Sequence, residues 1–313
     1  MMKARLISII LPGILITAML QAAPRSRYPL TVVDDGGNSV VLAAAPVRIV
    51  SQTLATDEIL LSLVDSSRIA AVTTFARDNQ ISNVADRAAA IPHALTQNVE
   101  TIISLRPDLV LVADWSDPAP VKQMRDAGLA VYLMASGVSV PAIEQKIEKL
   151  ALMTDEQEKG RQIVAEIEGR LDAVARKVSR LSLTQRLRVM DYATWGSAQG
   201  PGSSWDEIVR RAGLVNAVAG LAPDDLGQVP VAKEKILQID PDLLVLPGWV
   251  YGDPKGAAAF LSRVTQDPAF SGLAAIRNNK VLVMPEKLKS TTSQYIASAV
   301  EWLAQRAYPE LFR

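Results

Sequence analysis

The sequence predicts an α/β protein of two lobes with parallel-rich sheets, bridged by a single long α-helix. Three observations carry that prediction. First, the segment Val99–Trp115, VETIISLRPDLVLVADW, recurs at Lys233–Trp249 as KEKILQIDPDLLVLPGW, offset by 134 residues. Glu100/Glu234, Ile102/Ile236, Pro107/Pro241, Asp108/Asp242, Leu109/Leu243 and Trp115/Trp249 are identical between the copies. Solenoid repeats recur roughly every 20–50 residues, so this spacing signals two similar halves with a core each. Second, short apolar runs alternate with helical periodicity, the pattern of a parallel sheet covered by helices. Third, Pro141–Leu181 is a long run of helix formers lying between the two copies.

Residues 1–23 read as an export signal. Lys3 and Arg5 precede the apolar stretch Leu6–Leu20, and Gln21-Ala22-Ala23 supplies small residues for cleavage. A bilayer span needs about 20 apolar residues, whereas this run has fifteen and contains Pro12, Gly13 and Thr17. Residues 24–153 form the first lobe. Tyr28–Leu42 alternates around Asp35-Gly36-Gly37, which predicts a β-hairpin. Arg48-Ile49-Val50, Ile69–Val72, Leu109–Ala113 and Ala130–Met134 are the expected strands. Thr56 is expected to cap a helix whose first turn holds Asp57 and Glu58, acidic groups at the positive helix end.

Residues 154–181 are expected to connect the lobes. Thr154-Asp155 followed by Glu158 resembles a capping signal. One helix should run up to Met153 and a second from Asp155 to about Leu181, spanning about 40 Å. Residues 182–313 form the second lobe. Its strands are expected at Leu187–Tyr192, Leu243–Leu246 and Val281–Met284, with a helix starting at Asp206–Ala212 and a closing amphipathic helix over Ser290–Arg306.

Composition narrows the function. Lys plus Arg and Asp plus Glu are both 33, so no overall field draws the chain to nucleic acid or anionic membrane. There is no cysteine, so disulfides and a lipidated cysteine are both out of reach, and a soluble periplasmic product stabilised by its core is expected. His93 is the single histidine, which leaves too few nitrogen and sulfur ligands for a usual zinc site. No G-x-S-x-G elbow or G-x-x-x-x-G-K-[ST] loop occurs, and Gly200-Pro201-Gly202 reads as a turn. No catalytic residue, metal ligand or resident cofactor is therefore expected. The rival from another class is an exported α/β hydrolase using an inter-lobe cleft, for which the sequence offers only ordinary carboxylates.

Ligands of parallel α/β sheets sit beyond the carboxyl ends of the strands. Trp115, Trp195, Trp249 and Tyr251 fall in loops at those ends, as does Phe75. They are the candidate contacts for a large, flat or aromatic ligand. Arg77, in the loop after Ile69–Val72, is a candidate partner for an anionic ligand. Glu100 and Glu234 carry a separate inference. Each begins a helix running antiparallel to the strand that follows, so both should lie on the cleft side, one per lobe. A first-turn glutamate is explained singly by the helix dipole, at about 0.3–1 kcal/mol. The same arrangement in both lobes suits a partner that grips both.

Tyr28–Val50 (YPLTVVDDGGNSVVLAAAPVRIV), Thr56-Asp57-Glu58-Ile59-Leu60, Ser82-Asn83-Val84, Asn98-Val99-Glu100 and Leu105-Arg106-Pro107-Asp108-Leu109-Val110 together resemble the periplasmic substrate-binding proteins of iron-siderophore, haem and cobalamin ABC importers. The likeness covers the whole mature chain. It implies two Rossmann-like lobes, limited hinge motion and a ligand held between them. It also implies that Glu100 and Glu234 dock onto arginines of a membrane permease dimer with its ATPase subunits. Cobalamin and hydroxamate binders often carry a bulky Trp or Arg about six residues before the first docking glutamate, where this chain has His93-Ala94-Leu95. Haem binders often supply an axial Tyr or His, for which His93 and Tyr251 are the candidates. The expectation is a monomeric binding protein for a ferric siderophore or related metal chelate.

Overall fold

The computed structural model describes residues 27–96 and 98–313. The expected export signal at 1–23 lies outside the described residues. Among them, no helix is long and apolar enough to cross a membrane.

The chain opens with the expected hairpin, β1 (Leu30–Val33) against β2 (Ser39–Leu42), with Leu30 opposite Leu42. Alternation buries Val40 and Leu42 and leaves Val41 exposed. Asp34 shapes the turn by accepting the N–H groups of Gly36 and Asn38 at 3.0 and 2.7 Å. Its other oxygen pairs with Arg125 at 2.6 Å, which ties the hairpin to the lobe behind it.

Lobe one follows: β3 (Ile49–Ser51), α1 (Leu54–Leu63), β4 (Ile69–Thr73), α2 (Ala85–Ala88), β5 (His93–Leu95), α3 (Val99–Ser104), β6 (Leu109–Ala113), α4 (Pro118–Asp126) and β7 (Val131–Met134). The strands form one parallel sheet in the order β5-β4-β3-β6-β7. Every residue of β6 is buried, as a central strand covered on both faces requires. The helix cap falls earlier than expected. Thr53, not Thr56, accepts the N–H of Thr56 at 3.1 Å, and Asp57 and Glu58 are buried instead of fringing an exposed first turn.

Helix α5 (Val140–Thr154) closes lobe one, and the long α6 (Gln157–Val178) leads into lobe two. The expected cap at Thr154 does not form. Asp155 turns left-handed at φ 61°, its N–H closes on Ala151, and α6 starts without a side-chain cap. Ile167, Leu171, Val174 and Val178 bury one stripe of α6, which is about 33 Å long.

Lobe two holds β8 (Arg188–Asp191), β9 (Ser197–Gln199), α7 (Ser204–Arg211), β10 (Val215–Asn216), β11 (Gln228–Pro230), α8 (Lys233–Ile239), β12 (Leu243–Pro247), α9 (Gly256–Thr265), α10 (Ala274–Arg277), β13 (Val281–Met284), α11 (Glu286–Lys289) and α12 (Ile296–Ala307). Its main sheet is parallel, ordered β10-β8-β12-β13. An antiparallel ribbon of β9 and β11 is added beside it. The closing helix begins at Ile296, six residues later than expected, because an irregular segment over residues 290–295 follows the short α11.

Strand alternation sorts the core into three parts. Ile49, Leu109 and Leu111 of lobe one join Val189, Leu243 and Val245 of lobe two in a single cluster that passes through α5, α6 and α12. The opposite faces are private: Val50, Val110 and Val112 in lobe one, Met190, Leu244 and Leu246 in lobe two. Across the seam, Arg170 of α6 pairs with Glu301 of α12 at 2.5 Å.

The repeat has a structural cause. At the end of α3 and of α8, Arg106 and Asp240 adopt positive φ, 46° and 43°. Each is followed by Pro-Asp. Asp108 accepts the N–H groups of Val47 and Arg48 at 2.7 and 2.9 Å, and Asp242 accepts that of Arg188 at 2.8 Å. Both carboxylates thus secure the entry of the neighbouring strand, β3 or β8. The two arginines answer by donating to carbonyls at the preceding helix end, Leu105 and Asp240.

Candidate ligand cleft

Three cavities adjoin at the carboxyl end of the lobe-one sheet. The largest, about 420 Å³, is lined by Gln52–Leu54, Thr73–Phe75, Leu95, Thr96 and Trp115. A second, about 320 Å³, lies between Thr53–Thr56, Trp115, Met134–Ser136 and Lys146, with Thr292 of lobe two at its edge. A third, about 150 Å³, joins Leu54, Ala55 and Glu58 to Glu286, Lys287 and Ser290–Thr292 of lobe two. Leu54 touches all three, so the N-terminus of α1 is a common wall of the trough they outline at the sheet end. Cavities of this size at sheet ends suit small ligands.

The sequence-derived residues distribute unevenly around it. Trp115 stands between the two larger cavities and is 66% exposed. Phe75 borders the largest. Trp195 and Tyr251 are exposed at the carboxyl end of the lobe-two sheet, and half-buried Trp249 meets Tyr251 edge-on with ring centres 5.8 Å apart. None of these three lines a cavity described above. Arg77 is turned into its own lobe, where its guanidinium donates to the carbonyls of Ala88 and Ile91. His93 is exposed at the start of the edge strand β5, paired in register with Ala71, while the cavity begins two residues on at Leu95. Glu100 and Glu234 are exposed in the first turns of α3 and α8, and among the described residues neither makes an ion pair. Each helix runs back along the strand that follows it, so both carboxylates lie at the cleft ends of their sheets.

Several buried charges around the trough are invisible to sequence patterning. Glu58 accepts the backbone and side-chain N–H groups of Asn83 at 2.8 and 2.9 Å and the hydroxyl of Ser293 from lobe two. Asn83 donates onward to the Lys287 carbonyl at 2.8 Å, and Gln294 donates to the Glu58 carbonyl at 2.8 Å. These bonds stitch the lobes together at the base of the cleft. Burial raises the pKa of Glu58 above the usual carboxylate range. Asp57 accepts the Thr73 N–H at 3.1 Å and the Thr73 hydroxyl, and burial pushes it up to about 7.

In lobe two, Lys289 and Asp191 form a buried pair at 3.1 Å. Burial works to lower the Lys289 pKa, but the Asp191 and Glu286 carboxylates hold it above its ordinary value. The other Asp191 oxygen takes the Gln199 N–H at 2.7 Å and fixes the end of β9. In lobe one, Lys146 is 4% exposed on the wall of the second cavity, and burial brings its pKa down to about 8 against the opposing pull of Asp114 and Asp35. The signal for Lys146 was weak: in Glu144-Gln145-Lys146-Ile147-Glu148-Lys149 it reads as one charge on a solvated helix face.

The sheet order, the two-lobed build and the cleft at the strand ends define a class of bilobal binding protein. The family model described as "Periplasmic binding protein" matches residues 49–288, and the chain belongs to that family. A Bacillus subtilis relative named "Uncharacterized ABC transporter substrate-binding lipoprotein YvrC" is 25% identical over 296 residues, covering 91% of this chain and 88% of its own length. The fold is shared with molybdate-bound MolA of Haemophilus influenzae at TM-score 0.76 and 20% identity, covering 90% of this chain and 92% of that one. It is also shared with the periplasmic haem-binding protein RhuT of Roseiflexus sp. RS-1 at TM-score 0.71 and 21% identity, covering 84% and 98%.

Proposed function

We propose that the chain is the periplasmic solute-binding component of an ABC importer, capturing a ferric siderophore or related metal chelate and delivering it to a permease dimer with its ATPase subunits. One observation carries the reading. An aromatic-edged trough at the sheet ends coincides with an exposed glutamate in each lobe, Glu100 or Glu234, that makes no ion pair among the described residues and begins a helix on that same side. In this reading Trp115, Trp195, Trp249 and Tyr251 contact the ligand, Glu100 and Glu234 dock onto the permease, and the protein works as a monomer without turnover. An exported, soluble form belongs to the same proposal. The B. subtilis relative is named a lipoprotein, whereas this sequence has no cysteine to carry a lipid.

Haem is the second reading, favoured by Tyr251, whose exposed phenol stands beside Trp249 as an axial donor. Titration of tryptophan fluorescence with ferric siderophores, cobalamin and haemin tests both. The expected result is saturable quenching by one class. A folded protein that responds to none of them refutes the binding-protein assignment for these chelates.

A further inference from the structure

Lys146 lies in the middle of α5, the helix that precedes the connecting α6. It is 4% exposed, yet its side chain forms part of the wall of the 320 Å³ cavity. An ammonium carries three N–H donors. This one has a single hydrogen bond, to the Thr292 carbonyl of lobe two at 3.3 Å, and no ion pair among the described residues. The nearest carboxylates are already held elsewhere. Asp35 pairs with Lys149, and Asp114 accepts the backbone N–H and hydroxyl of Ser136. A buried cation without a counter-ion is costly, and it is normally matched by an opposite charge. The rest of the wall offers none: beside apolar groups such as Ala113, Trp115, Met134 and Ala135 it carries only the neutral hydroxyl residues Thr53, Thr56, Ser136 and Thr292.

We propose that Lys146 is a ligand-recognition residue: an anionic group of the captured molecule, a carboxylate or another oxyanion, enters this cavity and becomes its counter-ion while the remainder lies across Trp115. The inference rests on the binding-protein reading of the cleft and adds the sign of the ligand's charge. It also assigns separate tasks to the two larger cavities. The one at Lys146 selects charge, and the one at Phe75 and Leu95 accepts apolar bulk.

The test uses the folded full-length mature protein and matched probes. Haemin carries two propionates and its dimethyl ester carries none, ferric citrate is anionic and ferric tris-acetohydroxamate is neutral, and molybdate is a bare oxyanion. Binding is read by tryptophan quenching and calorimetry. The anionic member of at least one pair should bind about tenfold or more tighter than its neutral partner, or molybdate should bind outright. Lys146→Gln should remove that preference, Lys146→Arg should keep it, and Trp115→Ala should weaken charged and neutral ligands alike. Equal or tighter binding of the neutral member overturns the charge assignment alone, as does unchanged selectivity in Lys146→Gln. Absence of binding to every probe by folded protein overturns, together with the charge assignment, the reading that the cleft captures chelates of these classes. Should Lys146→Gln not fold, the wild-type preference and its retention in Lys146→Arg decide the matter.

Discussion

The two copies of the repeat agree at one end and part at the other. Where α3 and α8 end, both chains turn through a positive φ into Pro-Asp, and both aspartates secure the entry of a neighbouring strand. Beyond the strand they diverge. Asp114, one residue before Trp115, receives Ser136 and leaves the indole 66% exposed. The matching position before half-buried Trp249 is Gly248, where a Cβ would meet the Met284 carbonyl at 2.5 Å. The difference teaches where each constraint acts. The far end of each sheet is a construction detail that both lobes need, whereas the cleft end is shaped lobe by lobe.

The largest expected effect tests the equivalence of the lobes directly. Glu100→Ala and Glu234→Ala together should abolish transport in a reconstituted importer while ligand affinity, measured by quenching, stays within about twofold, because neither carboxylate lines a cavity. Each single substitution should give a comparable partial loss. A double variant that transports normally removes the docking role, and one silent single variant breaks the symmetry. Next in size, Gly248→Asp installs the lobe-one residue in lobe two. The clash is with backbone, so unfolding free energy measured in urea should fall by about 3 kcal/mol. A variant as stable as wild type would show that β12 and the end of β13 can part.

The smallest effect sharpens the contrast through pH. Asp57 has no counterpart in the repeat and is buried with its pKa raised to about 7. The folded state therefore holds a proton that the unfolded chain releases near pH 4. This stabilisation is complete in acid and is lost as pH rises from about 4 through about 7. Asp57→Asn keeps the shape and removes the titration. Thermal midpoints compared at about pH 5 and pH 8 should drop less for the variant than for wild type. Identical drops would mean that Asp57 titrates as an ordinary surface carboxylate.

What could be read in advance followed from local physics. Central strands such as β6 and β12 are unbroken apolar runs, and the Pro-Asp repeat marked both lobes before any contact was known. The β9–β11 ribbon escaped because three-residue strands have too little alternation to register. The Thr154–Glu158 cap misled because Asp155 ends one helix in the left-handed region instead of starting the next. At the site, position alone placed Trp115 and Phe75 at the strand ends where cavities lie, but Trp195, Trp249 and Tyr251, chosen by the same rule, line none of those cavities. Glu58, Asp57 and Lys146 were not legible, because a charge inside an amphipathic pattern looks solvated until tertiary packing covers it. Arg77 shows the converse: a loop arginine that looks available is committed to two carbonyls of its own lobe.

The apolar cluster that passes without a break from Ile49 through α6 to Leu303 has a mechanical consequence. A packed interior is nearly incompressible, so it behaves as a stiff coupler and not as a loose joint. Any strain that a captured molecule places on one lobe is passed to the other with little loss over the length of α6. Under the docking proposed for Glu100 and Glu234, their separation would serve as a ruler, and a permease matched to it would sense occupancy without a wide swing of the lobes.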